Sequence, residues 1–262
     1  MHERTLPVAV FDSGLGGISI LRELVRVLPG EDYLYLGDSV HAPYGVKSAE
    51  EVLRLSRENT ELLLSYGAKA LVIACNTATS AAAQTLRRIY PSLPMIGTEP
   101  ALKPAVERHP GGRTLVLATP MTVAEEKFQR LWSQYRGCAE ITPVACGGLM
   151  EFVERGELEG AAVEAYLREK LAPYLNEPVD AVVLGCTHYP FLRHTIRAVV
   201  GTRAEILDGS HGIAVQLRRR LREEHLLNTA QAQGTVRFMN SANDPALLAR
   251  SEALLRLPEE QL

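Results

Sequence analysis

Two cysteines sit in segments whose neighbours could support proton transfer. Cys75 lies in Ala-Cys-Asn-Thr-Ala-Thr-Ser (74–80) and Cys186 in Gly-Cys-Thr-His-Tyr-Pro (185–190). Each follows a short apolar run and precedes a helical segment, and a thiol at a helix N-terminus is biased toward thiolate. Asn76 and Thr77 add polar groups able to bind a carboxylate. His188, two residues beyond the second thiol, is a candidate proton acceptor. A lone strand-end cysteine is usually a small buried hydrophobe. Two at matching places, both followed by hydroxyl and polar residues, point instead to chemistry. Cys146 also ends an apolar run, but only Gly147 and Gly148 follow it, and Cys138 falls in a polar loop, so both read as non-catalytic. No cysteine forms a CxxC pair or stands at a zinc-ligand spacing from histidine, so no metal is expected.

Two further segments carry polar residues at strand ends. Phe-Asp-Ser-Gly-Leu-Gly-Gly (11–17) places Asp12 just past an apolar run and opens a helix with glycines. A dinucleotide fingerprint would need glycine at 14, 16 and 19, and position 19 is serine, so nicotinamide binding is weakly supported. The glycines still permit close backbone approach and present helix N-terminal amides to an anion. Asp12 or Ser13 could equally just cap that helix. Pro43-Tyr44-Gly45, closing the segment 37–45, reads in isolation as a plain turn.

The elements that must position these residues alternate along the chain. Strands are expected at Val8–Phe11, Tyr33–Leu36, Ala70–Ala74, Met95–Gly97, Leu115–Ala118, Ile141–Ala145, Ala181–Leu184, Glu205–Leu207 and Val236–Met239. Apolar spacing predicts helices over Ile18–Leu28, Ser48–Tyr66, Ala78–Tyr90, Thr122–Tyr135, Leu149–Arg155, Leu158–Tyr174, Phe191–Val200, Gly209–Glu224 and Pro245–Arg256. Strand–helix alternation throughout implies an α/β architecture with parallel sheets. Ala-Leu-Val-Ile-Ala-Cys (70–75) resembles Ala-Val-Val-Leu-Gly-Cys (181–186), about 110 residues later, and each has a similar strand upstream. The repeat implies two related, pseudo-symmetric lobes, each contributing one strand-end cysteine. Ligands of open parallel sheets sit beyond the strands' carboxyl ends, so one cleft between the lobes is expected to hold both thiols. The expected lobes are residues 1–97 with 208–262, and residues 98–207.

Composition narrows the class further. The 262 residues are 46% hydrophobic and 23% charged, with a net charge of −3, which gives a packed core and no electrostatic case for nucleic acid. No apolar run reaches the roughly 18 residues of a membrane span, and the N-terminus lacks the pattern of a secretory signal. A cytoplasmic protein is expected.

Taken together, Asp-Ser-Gly-Leu-Gly-Gly (12–17), Pro-Tyr-Gly (43–45), Cys-Asn-Thr (75–77), Gly-Cys-Thr-His-Tyr-Pro (185–190) and the tail Val-Arg-Phe-Met-Asn-Ser-Ala-Asn-Asp-Pro (236–245) resemble the glutamate racemases, in order and over nearly the whole chain. These belong to the cofactor-independent aspartate/glutamate racemases. The resemblance implies two flavodoxin-like lobes with the active site between them, interconversion of L- and D-glutamate, and supply of D-glutamate for peptidoglycan. Residue by residue it makes Cys75 and Cys186 the catalytic thiols, assisted by Asp12 and His188. It makes Asp12, Ser13, Tyr44, Gly45, Asn76, Thr77, Thr187 and His188 substrate contacts, with Thr119 and Thr122 a further polar pair near the substrate. The stretch after Cys146 departs from the family pattern. There Glu154 is the counterpart of a carboxylate near the second thiol, and Glu151 is the rival assignment.

No cofactor is expected. Pyridoxal phosphate would need a Schiff-base lysine, and Lys47, Lys69, Lys103, Lys127 and Lys170 lie outside the motifs. The expected partner is the small-molecule substrate, with no nucleic acid or membrane, and the expected assembly is a homo-oligomer, a dimer. Two other readings stand beside glutamate racemisation: a racemase for aspartate or a related acid, and a non-catalytic two-lobed ligand-binding protein.

Overall fold

A computed structural model describes residues 2–259; residues 1 and 260–262, assigned above to the first lobe, lie outside it. Nine strands run through the described residues: β1 (Val8–Asp12), β2 (Tyr33–Gly37), β3 (Ala70–Ile73), β4 (Met95–Gly97), β5 (Arg113–Ala118), β6 (Glu140–Ala145), β7 (Ala181–Leu184), β8 (Glu205–Leu207) and β9 (Val236–Asn240). They form two all-parallel sheets, ordered β4-β3-β1-β2-β9 and β6-β5-β7-β8. Parallel strands covered by helices on both faces must be apolar throughout. Every residue of β1, β2, β3 and β7 is buried accordingly.

The chain divides into two compact units. Of the described residues, the first takes those from His2 to Thr98 and then Ser210–Arg256; the second takes Glu99–Gly209 and Leu257–Glu259. Within each unit the strands read 2-1-3-4 in chain order, the flavodoxin-like sequence, and the first adds β9 beside β2. In this order the first connection leaves to one side of the first strand and the next to the other. The crevice opens where they part, at the carboxyl ends of the first and third strands.

The first unit is also tied together by a buried ion pair. Lys69 and Glu31 meet at 2.5 Å, each 1% exposed, and Glu31 accepts the Asn228 amide from the far end of the chain.

Several helices differ from the spacing-based expectation. The helix expected from Ala78 starts at Asn76, which makes Cys75 its N-cap. A helix at Leu102–Arg108 was hidden by Pro104, which stands in its first turn, where a missing N–H costs no helical bond. The helix expected over Thr122–Tyr135 is two, Pro120–Ala124 and Glu126–Tyr135, with Glu125 extended between them. The Gln129 side chain donates to the Val123 carbonyl that the break releases. The helix after Gly160 runs Ala161–Leu171, because Gly160 sits at φ 112°. Cys186 is followed by a polar turn and a 3₁₀ segment, Tyr189–Leu192, and only then by the Arg193–Val200 helix.

Candidate active site

In the first unit the β1/β3 crevice gathers Asp12, Ser13, Cys75, Asn76 and Thr77. Ala74, just past β3, donates its N–H to the Phe11 carbonyl, so Cys75 stands two residues past the end of β3, level with Ser13 past β1. The buried thiol lies 3.7 Å from Ser13 Oγ, and its sulfur accepts the Ala78 N–H at 3.4 Å. A sulfur that caps a helix in this way is stabilised as thiolate by the oriented amides. The first-turn amides of Asn76 and Thr77 have no acceptor within the helix and suit an anionic ligand. Asn76 Oδ1 is held by the Thr98 hydroxyl at 3.0 Å.

Asp12 is fully buried, and its Oδ2 accepts amides from Gly14 (3.4 Å) and Gly17 (3.0 Å). It therefore shapes the glycine turn into the Ile18–Val27 helix. Gly17 is needed there for space, since a Cβ would fall 2.7 Å from Asp12 Cβ and 2.8 Å from Ala74 Cβ. Tyr44 is turned inward. Its hydroxyl donates to Asp38 Oδ2 at 2.6 Å and accepts Asn59 Nδ2 at 3.0 Å. Gly45 follows in the same 3₁₀ turn, Tyr44–Val46.

The second unit repeats the geometry with different chemistry. Gly185, just past β7, donates to the Leu117 carbonyl, which places Cys186 two residues past the end of β7, level with Thr119 past β5. Cys186 Sγ lies 3.7 Å from His188 Nδ1, and His188 Nε2 lies 2.7 Å from Glu154 Oε1. Burial alone would push the imidazolium down. Hydrogen bonds to Cys186 and Glu154, and the charges of both, outweigh it and hold His188 well above its ordinary value. Glu151, the rival carboxylate, makes no such contact, and its Oε2 is buried without a hydrogen-bond partner among the described residues. Thr119 caps the Pro120–Ala124 helix, accepting the Thr122 N–H at 3.2 Å and donating to the Thr122 hydroxyl at 2.9 Å. Thr187 is buried beside Cys186.

By this register Asp12 corresponds to Ala118 and Ser13 to Thr119. The first thiol has a carboxylate one strand away; the second draws its own from Glu154 through an imidazole. Asp38, His41 and Asn59 around Tyr44 escaped the sequence reading. The available signal was Asp38, a carboxylate immediately after an apolar strand. Among the described residues no three His, Cys, Asp or Glu side chains cluster as a metal site requires. Cavities of about 440 Å³ and 510 Å³ open in the first unit around Arg87 and Met95, and around Lys69 and Leu226, and none of the candidate site residues lines them.

A flavodoxin-like unit with a buried thiol at its switch point, built twice in one chain, defines a class of α/β protein with paired cysteines. The sequence model of the Asp/Glu/hydantoin racemases matches residues 12–217. Glutamate racemase of Clostridium perfringens is 46% identical over 254 residues, 97% of this chain and 98% of that one. A crystal structure of glutamate racemase from Francisella tularensis in complex with D-glutamate superposes with a TM-score of 0.82 at 29% identity, covering 97% of this chain and 94% of that one. One of the Escherichia coli glutamate racemase, in complex with L-glutamate and the activator UDP-MurNAc-Ala, gives 0.82 at 30% identity, covering 94% and 95%. The chain belongs to the Asp/Glu/hydantoin racemase family and, within it, to the glutamate racemases.

Proposed function

We propose that this protein interconverts L- and D-glutamate by a two-base mechanism, with Cys75 and Cys186 acting on opposite faces of Cα and each unit supplying one of them. The observation that carries the reading is the register equivalence of the two thiols, each at the switch point of its own sheet. Relatives of this chain have been crystallised with D-glutamate in one case and L-glutamate in another, which supports both enantiomers as substrates.

The Cα proton of glutamate is weakly acidic because its carboxylate is already negative. One sulfur, as thiolate, takes the proton and becomes a thiol. The electron pair left on Cα then takes a proton from the other thiol on the far face, and that sulfur becomes the thiolate. Each sulfur must stand roughly 3–3.5 Å from Cα at its turn. Helix-start amides at Asn76 and Thr77, with Ser13, Thr119 and Thr187, would hold the substrate carboxylates and stabilise the charge that develops. Tyr44 and Gly45 would contribute through their main chain, since the phenol is committed to Asp38. His188, backed by Glu154, would manage the proton on Cys186, and Asp12 would fix the turn beside Cys75. No resident cofactor is required for these steps, and the D-glutamate formed would serve peptidoglycan synthesis.

A panel of L- and D-amino acids, incubated in deuterium oxide and followed by circular dichroism and Cα deuteration, tests the reading. Inversion and deuterium uptake confined to glutamate support it. Turnover of aspartate with glutamate inert would replace it with the sister activity, and binding without exchange would leave a ligand-binding protein.

A further inference from the structure

A second carboxylate stands at the carboxyl end of the first sheet, outside the proton relay. Asp38 follows β2 directly, is 1% exposed, and donates its N–H to the Asp12 carbonyl at 2.9 Å. Its Oδ2 accepts the Tyr44 hydroxyl at 2.6 Å and Asn59 Nδ2 at 3.4 Å, and its Oδ1 lies 2.8 Å from His41 Nδ1. Ser241, just past β9, accepts the Val40 N–H at 3.0 Å. Asp38 thus fastens the 40–45 loop to the Ala49–Ser65 helix, and Ser241 ties Val40 to the end of β9. The 3₁₀ turn at Tyr44 in turn packs on the Asn76–Ile89 helix that Cys75 caps, and the phenol is within electrostatic range of that thiol.

We infer that Asp38 is a positioning residue for substrate binding: by gripping the Tyr44 hydroxyl it holds the Tyr44–Gly45 main chain where the substrate docks on the Cys75 side. The inference rests on the proposed racemase reading. Charge suits the role. Burial would push Asp38 up, yet the hydrogen bonds of Tyr44 and His41 outweigh it and keep the carboxyl below its ordinary value. An ionised acceptor makes the shorter and stronger kind of bond. Rotation of Tyr44 away from it would leave the buried Oδ2 with only the long 3.4 Å bond from Asn59, so the loop has one favoured seat. Asp38 acts through Tyr44, and a change confined to the loop should alter how substrate is held rather than how its proton moves.

The test is steady-state racemisation in both directions by the wild type, Asp38→Asn, Tyr44→Phe and the double variant, with thermal melts of each. Turnover of glutamate by the wild type secures the underlying reading, and its absence overturns that reading and this inference together. With an active wild type, each single variant should raise KM roughly tenfold for both enantiomers, with kcat within about threefold. The double variant should be no worse than the worse single one, because both remove the same contact. A fall in kcat at unchanged KM, KM effects that multiply in the double variant, or a lowered melting temperature with normal KM would each overturn it. If Asp38→Asn fails to fold, Tyr44→Phe, which keeps the ring in its packing, decides alone by its KM.

Discussion

Asp38 and Cys146 occupy the same place in the two sheets. Each follows the second strand of its unit, and each donates its N–H to the carbonyl of the residue ending the first strand, Asp12 at 2.9 Å and Ala118 at 2.8 Å. The position lies one strand away from the switch point, on the far side of β5 from Cys186 in the second unit. Cys146 is therefore a poor rival for the second thiol, although it too ends a strand. Burial, with the nearby Cys186 adding to it, pushes its pKa up to about 12.

Cys146→Ser should accordingly keep racemase activity within about twofold and lower stability by about 1–2 kcal/mol, as expected for a hydroxyl placed in an apolar pocket. Iodoacetamide at pH 8, followed by peptide mass mapping, should label exposed Cys138 and leave Cys146 unmodified in the folded protein. Loss of turnover in Cys146→Ser with a normal melting curve would reassign the second base.

Cys75→Ser and Cys186→Ser should each reduce racemisation by roughly 10²–10⁴-fold, because a hydroxyl is a far weaker base than a thiolate and the relay needs both groups. The residual chemistry should be one-sided. On the proposed reading, the family resemblance assigns deprotonation of D-glutamate to Cys75 and of L-glutamate to Cys186. Cys186→Ser should then retain slow deuterium exchange into D-glutamate, and Cys75→Ser into L-glutamate. Saturating glutamate should also protect both Cys75 and Cys186 from alkylation. Protection of one alone would place the thiols at separate sites.

The contrast between the thiols and Asp38 shows what local pattern carries. Continuous apolar runs such as Val8–Phe11 and Ala181–Leu184 announce buried parallel strands, and the cysteine, serine and histidine that end them need no long-range information to be noticed. Asp38 acquires its meaning from Tyr44 and from Asn59 on the following helix, and no spacing rule announces that the three side chains meet. Pro104 was legible only as punctuation, because proline in a first helical turn and proline in a loop look alike in sequence. Glu151 and Glu154 are three apart on one short helix, nearly on one face. Only the seat of the Leu149–Arg155 helix against His188 tells which of them reaches the imidazole.

That imidazole makes a prediction with a definite sign. His188 holds its proton more tightly in the folded protein than in an unfolded chain. The stabilisation from its bonds is complete below about pH 6.5, the unfolded value, and fades as pH rises through the raised folded value. Glu154→Gln keeps the shape and removes the charge. Denaturant melts should show it less stable than wild type by about 1–3 kcal/mol near pH 6, with the gap narrowing toward alkaline pH. A gap that widens with pH would mean that Glu154 does not hold His188 protonated.

Gly17 tests the first unit by space alone. It sits in ordinary right-handed backbone at φ −60°, so any residue could adopt its conformation. Its side-chain volume is what the fold forbids, because a Cβ would meet Asp12 Cβ at 2.7 Å, Ala74 Cβ at 2.8 Å and the Tyr35 hydroxyl at 3.1 Å. Ala74 and Asp12 immediately precede Cys75 and Ser13, so the displaced atoms belong to the two strand ends that form the crevice. Gly17→Ala should lower stability by about 1–3 kcal/mol, the usual cost of overpacking. Turnover should fall much further than the folded fraction does, since a misplacement of about 1 Å can cost roughly a hundredfold in rate. Wild-type turnover in Gly17→Ala, measured on protein shown by its melt to be folded, would mean that β1 and β3 tolerate the shift and that their separation does not set the geometry of Cys75.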